Sequence, residues 1–217
     1  MRHAQVPTWS RPGIAWLALA GVLAAGGLAV GGASVLGGAA AVAPSGALAL
    51  DWQPDLALVQ PWRWWTGALV HGSAAHLALN LAGTLLVALL GMAAQVPARL
   101  ALAWLLAWPL TQGGWLLGPS LAHFHGLSGV LHAGVAIVGL HLLWPRRGTR
   151  VLPGLLLLAG LTVKLALEQP FGPVLRAAPE LGIAIAPWSH FSGTVAGLLC
   201  AALVAAAAAT AQRVGND

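Results

Sequence analysis

Charge is scarce in this sequence. Ten lysines and arginines and five acidic residues make up 7% of 217 positions, where soluble domains run at about one quarter charged. That deficit excludes a soluble domain, because no stretch between the long neutral runs is polar enough to form more than a loop. Cysteine is almost missing as well. The single Cys200 cannot form an internal disulfide, and in its apolar run it reads as a small packing residue. The shortage of acids and thiols also excludes a well-furnished metal centre. His123, His125, His132 and His141 have no Cys, Asp or Glu in their motif and no HExxH occurs, so no metal and no other cofactor is expected. The net charge of +5 would suit nucleic acid, but the arginines are scattered at the ends of apolar runs without polar surface around them. Nucleic acid is therefore excluded as a partner. Tyrosine is absent altogether.

What is present is apolar. With 59% hydrophobic residues and a mean hydropathy of +0.82, the sequence reads as an all-α membrane protein, a single domain over residues 1–217. Six apolar runs predict six transmembrane helices, at about 13–40, 76–94, 100–117, 128–144, 151–167 and 188–211. The first run is far longer than a signal-peptide h-region, so it is read as a retained helix although Ala41-Val42-Ala43 resembles a cleavage site. Residues 44–75 read as an interfacial loop. Asp51 and Asp55 make it polar, and the tryptophans around Arg63 suit the membrane surface, which gives Arg63 an anchoring role. Prolines 170, 173, 179 and 187 predict an irregular loop over 169–187 with one short surface helix.

Six crossings put both termini on one side, together with seven of the ten basic residues: Arg2, Arg11, Arg99, Arg146, Arg147, Arg150 and Arg213. That side is cytoplasmic by the excess of positive charge. Lys164 and Glu168, one turn apart at the outer end of the fifth helix, read as a snorkelling ion pair.

Residues 100–145 contain no charge, and Gly126-Leu127-Ser128-Gly129 lies within them. The glycines permit a tight turn, and Ser128 opens the fourth helix. At 1.5 Å per residue that helix spans about 24 Å, against about 30 Å of hydrocarbon, so the serine is recessed. Helices two, four and six all enter from the outer side, which brings their polar first turns to one level. His76 and Asn80 share a face of helix two, and His190 opens helix six, followed by Gly193 and Gly197. Polar groups at such depth are functional candidates. A hydroxyl beside an imidazole suits nucleophilic catalysis, with Ser128 attacking and His190 as base. His76, Asn80 and the Ser128 N–H are candidate donors to the resulting oxyanion. Asp51, Asp55 and Glu180 lie in loops, so a Ser-His dyad is expected with no acidic third member. Gly193-x-x-x-Gly197 offers a groove for close helix approach, and His71 can brace helix two near the site.

These residues resemble the rhomboid family of intramembrane serine proteases over about Pro61 to Gly197. The blocks are Trp62-Arg63 with Thr66, His71 with His76-x-x-x-Asn80, Gly126-Leu127-Ser128-Gly129, and His190-x-x-Gly193-x-x-x-Gly197. The resemblance implies a six-helix core, with Ser128 as nucleophile, His190 as base, and His76 and Asn80 around the oxyanion. Many members have a tyrosine four residues after the serine, packed on the catalytic histidine; here His132 stands there. The bare architecture and His125-Gly126-Leu127-Ser128-Gly129 are similar to the rhombosortase subgroup. That implies a bacterial inner-membrane enzyme acting on membrane-anchored proteins with a Gly-Gly C-terminal sorting segment. General cleavage of single-span proteins and non-cleaving binding of membrane proteins are the alternatives. A small transporter would show internal repeats and midplane coupling charges, and neither occurs.

Overall fold

The computed structural model describes residues 12–36, 49–144, 151–179 and 183–214, which are mostly helical. α1 (Ile14–Gly26) runs through a π-helical stretch, Gly27–Gly31, into α2 (Gly32–Leu36). A loop region follows that carries α3 (Arg63–Thr66). Next come α4 (Ala74–Ala93) and α5 (Ala98–Gly113), the latter extended by a 3-10 turn at Gly114–Leu117. α6 (Ser128–Leu143), α7 (Leu152–Glu168) and α8 (Pro187–Val214) complete the bundle.

Local chemistry sets several of these boundaries. Ser73 caps α4 by accepting the His76 N–H at 3.1 Å. Pro97 precedes α5, and a proline in the first turn of α7 sits where a missing N–H costs nothing. Gln169 ends α7 in the left-handed region, at φ 55°.

Among the described residues, four stretches are long and apolar enough to cross a bilayer: Ile14–Gly31, Ala74–Ala93, Ala98–Leu117 and Pro187–Ala211. Ser128–Leu143 is apolar but shorter. Outward-facing Leu86, Leu89, Leu106, Leu156 and Leu203 present the kind of surface that lipid covers. α6 is walled in by α4, α5, α7 and α8. At the centre of the bundle Trp16 of α1 stacks on Trp104 of α5, ring centroids 4.3 Å apart. Each indole N–H donates to a carbonyl on a neighbouring helix, Trp16 to Val87 at 2.9 Å and Trp104 to Val130 at 2.8 Å. Two tryptophans thereby tie four helices together without leaving a buried donor unpaired.

Two expectations are corrected here. Arg63 does not snorkel to a surface; it is 3% exposed and buried as an ion pair with Asp51. Its Nη1 donates to Asp51 Oδ1 at 2.9 Å and to the Asp51 carbonyl at 2.6 Å, while its Nε donates to Gln60 at 2.6 Å. Asp51 is equally buried and accepts from Gln53 as well, so this segment folds inward around a charge pair. The stretch after α7 is also more regular than its prolines suggested. β1 (Arg176–Ala178) and β2 (Ile183–Ile185) pair antiparallel, Arg176 opposite Ile185 and Ala178 opposite Ile183. The Ala41-Val42-Ala43 stretch, Glu180, and the arginines at 2, 11, 146, 147 and 150 lie outside the described residues.

Candidate active site

The loop that delivers Ser128 is clipped to the segment before α4. Trp52 and Phe124 exchange both backbone hydrogen bonds, at 2.8 and 2.9 Å, and the Gly126 N–H donates to the Gly67 carbonyl at 3.1 Å. His123 adds a contact from its Nδ1 to Asp51 Oδ2 at 2.7 Å. Gly126 has φ +125°, a conformation side-chain-bearing residues rarely adopt. A Cβ there would stand 2.8 Å from His76 Cε1.

Ser128 is the first residue of α6, so its own N–H has no helical acceptor. Its Oγ lies 2.8 Å from Nε2 of His190, in the first turn of α8. Small residues permit this meeting. A Cβ on Gly193 would fall 1.9 Å from the Gly129 carbonyl oxygen, and one on Gly197 would fall 2.5 Å from that of Ala133. On the other side, a Cβ on Gly129 would meet the Ser189 carbonyl at 2.7 Å. The backbones of α6 and α8 touch at the level of the serine.

His132, one turn into α6, stacks face to face on His190 with centroids 4.1 Å apart and 8° between planes. Its Nδ1 donates to the Ser128 carbonyl at 2.7 Å, which ties that nitrogen up. His132 therefore lies against the ring of His190, one helical turn after the serine.

The other edge of His190 meets an acid. Nδ1 lies 2.7 Å from Oε2 of Glu168, the last residue of α7, and Glu168 Oε1 accepts from Lys164. The expectation that no carboxylate is near the serine is thus overturned. So is the reading of Lys164 and Glu168 as a surface pair alone. The sequence did hold a signal: the end of helix five and the start of helix six lie on the same side, and Glu168 is the one acid there on a helix face. His132, Glu168 and His190 could each bring one donor atom within 4.8 Å of the others, as a metal would need. In this structure hydrogen bonds engage all three side chains.

A cavity of about 290 Å³ opens over the serine, lined by His76, Ser128 and His190 with Phe124, Leu175 and Ile185 among its walls. Asn80, one turn deeper than His76, is buried and does not line it. Its Nδ2 has no hydrogen-bond partner among the described residues, and neither has His76 Nδ1. His71 packs edge-on against His76 at 4.9 Å, with its Nδ1 2.9 Å from the Leu69 carbonyl. Burial pushes His71 down to about 4 and lowers His125 as well, so both rings beside the cavity are neutral at pH 7.

The model of the Rhomboid domain matches residues 59–207, which contain His76, Asn80, Ser128, His132, Glu168 and His190. No curated protein matches the chain.

Proposed function

The chain belongs to the rhomboid family, in general one of intramembrane serine proteases, and on that footing we propose that it is an intramembrane serine endopeptidase. The observation that carries the proposal is the 2.8 Å contact between Ser128 Oγ and His190 Nε2 at the floor of a cavity in an apolar helical bundle.

In the first half-reaction His190 Nε2 takes the Ser128 proton as Oγ attacks the substrate carbonyl. The oxyanion collects hydrogen bonds from the Ser128 N–H and from His76 and Asn80 side chains. A buried donor left unpaired costs about 1–3 kcal/mol, and Asn80 Nδ2, one turn deeper than His76, recovers that cost by turning towards the oxyanion from behind the cavity wall. The imidazolium then returns its proton to the leaving amine, the C–N bond breaks, and an acyl-serine is left. Water, deprotonated by the same nitrogen, hydrolyses that ester and regenerates Ser128. Cleavage of a helical membrane protein by the purified enzyme, lost in Ser128→Ala and in His190→Ala with the fold retained, tests this. Product from Ser128→Ala would remove the serine from the chemistry.

The substrate we infer is an exported protein held by a C-terminal anchor with Gly-Gly just ahead of its hydrophobic stretch. Each glycine weakens a helix by about 1 kcal/mol relative to alanine, so such a segment unwinds into the site at modest cost. In this reading α6 and α7 complete six crossings of the bacterial inner membrane, both termini are cytoplasmic, and the cavity opens outward. Mass spectrometry of exported proteins from a deletion strain tests the substrate: tails with Gly-Gly anchors stay unprocessed if the role is right. Normal processing leaves general cleavage of single-span proteins. A reporter fused after Asp217 that reads outside would overturn the orientation.

A further inference from the structure

We infer that Glu168 is a positioning residue for the proposed hydrolysis, holding His190 in the one tautomer and ring orientation that leaves Nε2 free to take the serine proton. The inference rests on the serine protease reading above, and its argument is geometric. A neutral imidazole carries one proton on either nitrogen, and only the form protonated at Nδ1 has an acceptor lone pair at Nε2. A carboxylate accepts and does not donate. With Glu168 Oε2 2.7 Å from Nδ1, that nitrogen must carry the proton.

The stack with His132 cannot do this work. Two rings 8° from parallel fix the plane of His190, yet a half-turn about the Cβ–Cγ bond preserves that plane while exchanging Nε2 for a carbon. Contact with Glu168 at one edge and Ser128 at the other decides which way the ring faces. The dyad is thereby extended to Ser128, His190 and Glu168, and Lys164 forms the fourth link through the second carboxylate oxygen. The location of Glu168 supports a dedicated role. It ends α7, and the C-terminus of a helix repels negative charge. A carboxylate at that position needs positive or N–H partners, and Lys164 and His190 supply them.

The test combines NMR of protein labelled with 15N-histidine and kinetics on a membrane substrate. In the wild-type protein His190 is expected to show a protonated, low-field Nδ1 and an unprotonated Nε2. A proton found on Nε2 overturns the inference, whether or not the protein cleaves anything. Glu168→Gln keeps the shape and removes the charge. It should lose the low-field resonance and lower kcat by about 100-fold, the scale of general-base assistance, with KM unchanged. Lys164→Met leaves the carboxylate in place and should give a smaller loss. If Glu168→Gln turns over within twofold of wild type, or loses only binding or thermal stability, Glu168 is merely a structural tie between α7 and α8. Absence of cleavage by the wild-type protein would instead refute the protease reading, leaving the NMR result to decide the tautomer.

Discussion

Replacing Gly193 by alanine places a methyl group 1.9 Å from the Gly129 carbonyl oxygen, against about 3.4 Å for ordinary contact. The obstacle is backbone at the start of α6, not the far end of a flexible side chain. Relief therefore requires α6 and α8 to part by about 1.5 Å, less whatever the carbonyl tilts. The contact between Ser128 Oγ and His190 Nε2 is 2.8 Å, and a hydrogen bond is gone by about 3.6 Å. Half of the required separation is enough to break it. Misplacement by about 1 Å can cost about 100-fold in rate, and overpacking costs about 1–3 kcal/mol in stability. We expect Gly193→Ala to lower kcat/KM by about 100-fold in a detergent cleavage assay and to melt earlier. Gly160→Ala is the matched control, because nothing lies within 4 Å of the Cβ it adds. Wild-type turnover and an unchanged melting temperature in Gly193→Ala would show that the helices have slack there and that glycine is not what sets their approach.

His76→Ala and Asn80→Ala should each slow turnover by about 3 kcal/mol in the barrier with little change in KM, measured by steady-state kinetics; equal rates with wild type would remove them from the oxyanion site. Arg63→Ala leaves the buried Asp51 with only Gln53 and His123 as side-chain partners and should cost about 3–5 kcal/mol, read as a fall in melting temperature, before any change in chemistry. Burial lowers His71 to about 4, so its contribution to stability is complete above about pH 6.5 and is lost as pH falls towards 4; His125, also lowered by burial, acts in the same direction. Melting temperatures between pH 7 and pH 4 should decline, and His71→Gln should flatten part of that decline. An identical slope in the variant would mean His71 titrates normally.

The juxtaposition of Ser128 with His190 is legible in the sequence because each opens an apolar run and the parity of the runs fixes which helix ends face each other. Gly193 and Gly197, four residues apart on one helix face, mark the same approach. Glu168 is not legible in the same way. Its neighbour Lys164 supplies a sufficient local explanation at helical spacing, and nothing local shows that the carboxylate has a second oxygen to spare for a ring 22 residues later. Arg63 is misread for the opposite reason: flanking tryptophans make a convincing interface pattern, while its burial depends on Asp51 folding back over it. The β1–β2 hairpin is equally hidden, since three-residue strands carry too little periodicity to outweigh four prolines.

α6 has sixteen residues, about 24 Å of helix, and packed helices surround it on all sides. A short helix exposed to lipid would draw the bilayer thinner around itself; this one packs against α4, α5, α7 and α8 instead. A hydrolase consumes one water for every bond it cuts, and hydrocarbon supplies none. On the proposed reaction the water that hydrolyses the acyl-serine has to arrive through the cavity over Ser128, and a serine at the head of a helix only sixteen residues long is where such a cavity can reach.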